Sequence, residues 1–188
     1  MADERLSFAG NEEADRLLAE EPLALLIGFV LDQQVPLTRA FAGPLELQRR
    51  LGHLDARRIS EMDTDELEAV FREKPALHRF PNSMAKRTAD LCSIVVESYD
   101  GDAGSIWRDA ATGPELRDRI DALPGFGKMK ISSLLAVLSK RLDISPPGMN
   151  EVLPTHPTVG DIDSPESLKA YQDHKRAMKL KARAERKS

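Results

Sequence analysis

The chain has 188 residues, of which 41% are hydrophobic and 5% aromatic, and its 27 basic and 31 acidic side chains give a net charge of −4. Its single cysteine, Cys92, excludes an intrachain disulfide and a metal cluster held by several cysteines. The length allows one domain or two small lobes with a real core, and the composition favours Leu- and Ala-rich helices over a β-sandwich.

The start of the sequence, MADERLSFAG, has neither a basic segment nor an apolar one, so we expect no secretory signal. The longest apolar run, residues 23–31, is too short to cross a bilayer. We therefore predict a cytoplasmic protein with no membrane partner.

A helix over residues 22–31 is apolar on every side, so we predict that it lies at the centre of the core. It ends in three polar residues, Asp32, Gln33 and Gln34. Two interpretations of the glutamines are open: they are solvated residues at a helix end, or they contact a ligand.

The middle of the chain consists of short helical patterns. We predict helices over residues 36–41, 44–51, 63–73 and 84–98. Ser83 is the expected cap of the last of these, and Thr112 and Ser164 are the expected caps of two later helices. Lys86 and Arg87 follow on or near its exposed side, as solvated charges or as contacts to an anion. His78 and Arg79 lie in the preceding loop and either line a groove or serve the structure.

Residues 112–141 are the most informative segment. Apolar residues recur at helical spacing on both sides of a glycine turn, namely Leu116, Ile120 and Leu123 before it and Ile131, Leu134, Leu135 and Leu138 after it. Gly125 and Gly127 are free to take positive φ, which would let the N–H groups of the turn point outward beside the start of the second helix. Lys128 and Lys130 add positive charge. The pattern predicts a backbone grip on one phosphate of a nucleic acid, or simply a helical hairpin.

The string LPGFGKMK resembles the helix-hairpin-helix signature, Leu-Pro-Gly-x-Gly, of the base-excision DNA glycosylases related to endonuclease III, the helix-hairpin-helix–GPD superfamily. The resemblance covers residues 22–141: an apolar helix ending in Gln, several short helices, a helix led by Lys and Arg, and the hairpin. It implies an all-α fold of two lobes with a cleft between them. It also implies an enzyme that flips a damaged base out of duplex DNA and cleaves its glycosidic bond.

The same resemblance assigns roles to individual residues. Gln33 and Gln34 would fill the gap in the duplex or contact bases near the extruded nucleotide. The DNA phosphates would be held by Lys86, Arg87, Gly125, Gly127, Lys128 and Lys130.

Two departures from the family pattern affect the predicted chemistry. Met129 occupies the position of the family's nucleophilic lysine, so we expect no lyase activity. The position of the family's catalytic Asp falls within residues 147–149, which contain no carboxylate. Glu151 and Asp32 are the candidates to replace it, since charge developing on the sugar calls for a carboxylate. The alternative for Asp32 is a hydrogen-bonded structural residue.

We therefore predict a monofunctional DNA glycosylase, with a non-catalytic DNA-binding protein on the same scaffold as the alternative. A helical interaction protein that binds no DNA is a third interpretation. The predicted protein is a monomer without a metal or an iron–sulfur cluster. Residues 1–148 would form the glycosylase-like fold, and residues 149–188 an irregular loop with a basic helix or tail.

The distribution of charge bears on DNA binding. Residues 1–75 contain 9 basic and 16 acidic side chains, whereas residues 149–188 contain 8 basic and 6 acidic ones. The acidic excess therefore lies far from the hairpin in sequence, and duplex binding needs only a local basic face. The last fifteen residues contain seven Lys or Arg, either as a solvated end or as an arm that contacts phosphates.

Overall fold

The computed structural model describes residues 6–187, so residues 1–5, where the segment tested for a secretory signal begins, and residue 188 lie outside it. Within that range the chain is helical and contains no strand, which confirms the all-α prediction. The helices are α1 (Glu12–Glu20), α2 (Pro22–Leu31), α3 (Leu37–Leu51), α4 (Ala56–Ser60), α5 (Thr64–Arg72), α6 (Pro81–Tyr99), α7 (Ser105–Arg108), α8 (Gly113–Asp121), α9 (Lys128–Arg141) and α10 (Pro165–Glu185).

Helix α2 lies at the centre of the core, as its uniform apolarity predicts. Every residue of this helix after Pro22 is buried, and α1, α3 and α6 pack around it. Two glycines allow α2 and α3 to approach closely. A Cβ on Gly28 would lie 2.6 Å from the ring of Phe41, and one on Gly43 would lie 2.5 Å from Leu31. A larger residue at either position would require the facing side chain of the neighbouring helix to move.

An aromatic cluster connects this core to the α8–α9 pair. The rings of Phe29 and Phe41 meet edge to face at 5.1 Å, and Phe126 lies 6.3 Å from Phe29. Phe126 belongs to the turn between α8 and α9, and it is buried. The turn is therefore anchored on α2, which places the start of α9 near the helix that ends at Asp32.

Several predicted boundaries are confirmed and two are wrong. Thr112 caps α8, and Ser164 caps α10. The predicted break at Gly43-Pro44 does not occur, because α3 runs through Pro44. Helix α6 begins at Pro81 rather than after Ser83, and Phe80 is its N-cap residue.

The chain after α9 packs back onto the α8–α9 pair before it forms the last helix. A short 3₁₀ turn, Met149–Glu151, lies against Gly113, where a Cβ would come within 2.5 Å of the Met149 backbone. A second one, Val159–Asp161, lies on α9 with Gly160 against Ala136. By contrast, α10 buries only Leu168.

The single cysteine, Cys92, is buried in α6. Among residues 6–187, no helix is both long and apolar enough to cross a membrane.

Candidate nucleic-acid interface

The turn between α8 and α9, residues 122–127, is called the hairpin turn below. Gly125 adopts φ +82°, a left-handed conformation that favours glycine. Gly127 differs from the sequence-based expectation, because its φ of −80° and ψ of 173° are extended and open to any residue. Gly127 instead serves as the N-cap of α9 without any side-chain cap. No atom lies within 4 Å of a Cβ placed at either glycine, so both face open space.

The first three side chains of α9 point in different directions around the helix axis. With a rotation of about 100° per residue, Lys128 and Met129 are exposed, whereas Lys130 is half-buried. The side chain of Met129 is 71% exposed. The first N–H groups of α9 have no partner within the helix, and no side chain caps them. The predicted backbone anion site thus faces open space, with Lys130 turned inward beside it.

Residues 32–36, called the Asp32 turn below, join α2 to α3 and are fixed by a buried histidine. His78 Nδ1 accepts the Phe80 N–H at 2.9 Å, which assigns the proton to Nε2. Nε2 then donates to the carbonyl oxygens of Leu31, at 3.1 Å, and Gln33, at 3.0 Å. Burial lowers the pKa of His78, against the effect of these two carbonyls. His78 is therefore a neutral structural residue, one of the two interpretations of the sequence.

The adjacent cations Lys86 and Arg87 of α6 point in different directions and have different partners. Arg87 is half-buried and donates a hydrogen bond to Gln33 Oε1. Lys86 points to the exposed side and pairs with Asp90 at 2.9 Å. The structure therefore brings Arg87 to the Asp32 turn and leaves Lys86 away from it. Gln34 is exposed, with φ +57°.

Asp32 is a half-buried carboxylate without a direct partner. Within the described residues its oxygens form no hydrogen bond and no ion pair, so the alternative of a hydrogen-bonded structural Asp lacks support. Burial raises the pKa of Asp32, and the charges of Lys175, Lys130 and Lys179 oppose that rise. Burial likewise lowers the pKa of Lys130, with Asp32 opposing and Arg87 reinforcing the change. Asp32 and Lys130 therefore lie close enough to interact electrostatically.

A groove of 670 Å³ separates the Asp32 turn from α10. Asp32 is its single acidic residue. Its cations are Arg79, Lys175, Arg176, Lys179 and Arg183. Arg79, which the sequence suggests as a groove residue, lies at its edge with its guanidinium 5.3 Å from the centre of the Phe80 ring. This surface is strongly positive in a chain whose net charge is −4.

Glu151, the other candidate carboxylate, is exposed and lies elsewhere. Its carboxylate is beside Gly148, close to Pro114 at the beginning of α8. The hairpin turn follows the opposite end of α8, nine residues away, which corresponds to about 13 Å of helix. The structure therefore brings Asp32, Gln33, Arg87 and Lys130 together and does not bring Glu151 to them.

Two features of this surface go beyond the sequence-based interpretations. One is the set of partners of His78, which lie 45 and 47 positions earlier in the chain. The other is the arrangement of the C-terminal cations on one face of α10, along the groove. Its signal was present, because Lys175, Lys179 and Arg183 recur every four residues and must share one side of a helix.

Among the described residues, no group of three or more His, Cys, Asp or Glu side chains is placed to hold a metal ion. Comparison with known proteins gives no match to a family model, a curated protein or a solved structure. The observations that bear on function are therefore the geometry of this surface and the resemblance of the hairpin sequence.

Proposed function

We propose that the protein binds duplex DNA and is a monofunctional DNA glycosylase, a divergent member of the helix-hairpin-helix–GPD superfamily. The observation that carries this proposal is the position of Asp32, an unpaired and half-buried carboxylate that faces Lys130 of the hairpin and the cations of α10. An unpaired carboxylate at a buried helix end is costly unless it has a use.

The hairpin turn supplies the proposed hold on the DNA backbone. The unpartnered N–H groups at the start of α9 carry the positive end of the helix dipole, a favourable place for a phosphate. Lys128 and Lys130 add charge on either side. Such contacts position a duplex without reading its sequence, and they weaken as salt rises.

Asp32 supplies the proposed chemistry. Cleavage of a glycosidic bond builds positive charge on the sugar, which a carboxylate stabilises while it activates the attacking water. Gln33, held by Arg87, and the exposed Gln34 adjoin this carboxylate. They are suited to occupy the space that a flipped nucleotide leaves in the duplex, at the cost of lost stacking.

The two-lobed arrangement with a cleft at the Asp32 turn belongs to the same proposal. So do the division at residue 148, a monomeric state, a cytoplasmic location and catalysis without a metal or an iron–sulfur cluster. An iron measurement and a visible absorption spectrum of the purified protein test the cofactor prediction directly.

The alternative function is a non-catalytic DNA-binding protein. The departures at Met129 and at residues 147–149 favour it, since neither position of the family's chemistry retains its residue. The hairpin and the groove would then hold DNA without cutting the glycosidic bond.

A glycosylase assay on duplexes that each contain one modified base tests the proposal. The wild-type protein is compared with Asp32→Asn, and strands are analysed after alkali treatment. We expect base release by the wild type and a loss of at least about a hundredfold in Asp32→Asn, with duplex binding retained. Wild-type protein that binds the duplexes but releases no base from any of them would establish the alternative.

Glu151→Gln is the matched control, because it removes the other candidate carboxylate at a site far from the hairpin turn. We expect it to keep full activity. Loss of activity in Glu151→Gln with full activity in Asp32→Asn would show that Asp32 is the wrong residue.

The same reactions without alkali test for lyase activity. We expect no strand cleavage, since Met129 replaces the nucleophilic lysine and is exposed. Cleavage without alkali would point to Lys130, the amine that faces Asp32.

A further inference from the structure

Helix α10 presents a row of cations to the groove along one side. Tyr171, Lys175, Lys179 and Arg183 recur every four residues and all line the groove. From Tyr171 to Arg183 the helix rises about 18 Å, which is long enough to follow several phosphates of one strand. One row of cations of this length matches one phosphodiester chain.

These cations form no direct ion pairs, although Lys175 and Lys179 interact electrostatically with Asp32. Within the described residues, Lys175, Lys179 and Arg183 form no ion pair with a carboxylate. Lys175 instead lies over the ring of Tyr171, with Nζ 5.1 Å from its centre. Cations held along one groove repel each other, so an anion placed among them would relieve a cost that the free protein carries.

Helix α10 is also lightly attached to the rest of the fold. Leu168, in its first turn, is its single buried residue, and Ser167, Tyr171 and Gln172 are half-buried. The remaining residues along the helix are exposed. Packing of α10 therefore does not account for the cations on the side that lines the groove, where Lys175 and Lys179 are close enough to Asp32 to affect its pKa.

We propose that the groove between α10 and residues 32–37 binds a single strand of nucleic acid through its phosphates, beside Asp32. This inference rests on the proposed function, because the strand in the groove belongs to the DNA that the hairpin turn holds. It adds a second binding element, on α10, that takes an unpaired strand. Positive grooves with an aromatic residue, here Tyr171, are a general means of holding single strands.

The test uses the full chain and measures binding of a fluorescent oligothymidylate of about 12 nucleotides, within the usual range of single-strand sites. The groove variant is Lys175→Gln, Lys179→Gln, Arg183→Gln. The control variant is Lys181→Gln, Arg186→Gln, Lys187→Gln, which removes the same charge from residues outside the groove. None of the six residues is buried, and circular dichroism checks that both variants are folded.

We expect the groove variant to lose about tenfold or more in affinity at low salt, with the slope of log K against log salt reduced by about two. The control variant should lose less than about threefold. Equal losses in the two variants would mean that general charge attracts the strand and would overturn the proposal. So would wild-type binding to vesicles of an anionic phospholipid, weakened in the groove variant, without binding to oligothymidylate.

Duplex binding by the Gly127→Val variant separates this inference from the proposed function. If the wild type binds neither duplex nor single strand, the proposed function fails. If duplex binding depends on Gly127 while the groove variant binds oligothymidylate as well as the control does, only the role of α10 is wrong.

Discussion

The hairpin turn and the Asp32 turn contribute adjacent parts of the candidate interface but are fixed in different ways. The hairpin turn takes its shape from its own residues, with Gly125 in a left-handed conformation and Phe126 buried as an anchor. The Asp32 turn contains no glycine, and His78 fixes it from 45 positions along the chain. The shape of the first turn is therefore encoded locally, although Phe126 docks that turn on α2, whereas the shape of the second depends on the assembled core.

This difference has a consequence for function. A locally encoded turn presents its N–H groups as soon as the two helices form, which suits a sequence-blind hold on a phosphate. In the proposed function the Asp32 turn places one carboxylate accurately, and the buried hydrogen-bonded ring of His78 provides rigid support from outside the turn. We infer that the two turns respond differently to mutation.

The largest expected change in stability comes from a mutation that removes the support of the Asp32 turn. His78→Ala leaves the carbonyl oxygens of Leu31 and Gln33 and the N–H of Phe80 without their partners, and it opens a cavity. We expect a loss of about 2–4 kcal/mol in the free energy of unfolding, measured by urea denaturation. His53→Ala, at a half-buried histidine with one hydrogen bond, should lose about 1 kcal/mol or less. Equal losses would mean that His78 has no special part in fixing the turn.

A smaller effect is expected in the hairpin turn, where the two glycines form a natural pair. Gly125→Val places a β-branched residue at φ +82° and should cost about 1–2 kcal/mol. Gly127→Val lies in extended backbone with free space around its Cβ, so we expect a change below about 1 kcal/mol in thermal or urea unfolding. Similar costs at both positions would contradict the assignment of the positive φ to Gly125 alone.

The smallest effect is a dependence on pH that belongs to the Asp32 turn. His78 has a pKa below its ordinary value of 6.5 in the folded chain, so the unfolded chain binds the proton more readily. The contribution of His78 to stability is therefore complete above about pH 6.5 and declines as the pH falls below it, by at most about 1.4 kcal/mol per pH unit. Urea unfolding at several pH values should show this decline in the wild type.

His78→Gln removes that titrating group and should flatten the decline. His53 also has a lowered pKa, so His53→Gln is the matched control and should leave most of the decline in place. A decline that is the same in both variants would assign the acid sensitivity to other groups.

Local patterns predicted the helices well because the relevant interactions are local. The stripes of α8 and α9, the caps at Thr112 and Ser164 and the buried apolar helix α2 all follow from side chains within a few turns. The predicted break at Gly43-Pro44 is wrong because both residues are buried, and Gly43 packs against Leu31. Tertiary burial therefore holds α3 together across a proline.

Parts of the candidate site could likewise be predicted from local sequence, and parts could not. The residues of the hairpin turn are identified by their own sequence pattern, although the positive φ occurs at Gly125 and not at Gly127. Three features depend on how distant segments meet: the electrostatic interaction of Asp32 with Lys130, the separation of Arg87 from Lys86, and the groove under α10. No local pattern contains that information, so sequence alone left Asp32 and Glu151 as equal candidates.

The burial of Cys92 makes it possible to measure the position of α10 relative to the hairpin turn. Burial, with a smaller contribution from Asp55, raises the pKa of its thiol to about 12, so this sulfur is almost entirely protonated and inert toward alkylating reagents at neutral pH. Cys92 therefore does not react with the reagents used for thiol labelling, and labels attach to introduced cysteines alone. A cysteine introduced at Met178 and another at Met129, both exposed, would carry a pair of spectroscopic probes that report the distance between α10 and the hairpin as nucleic acid is added.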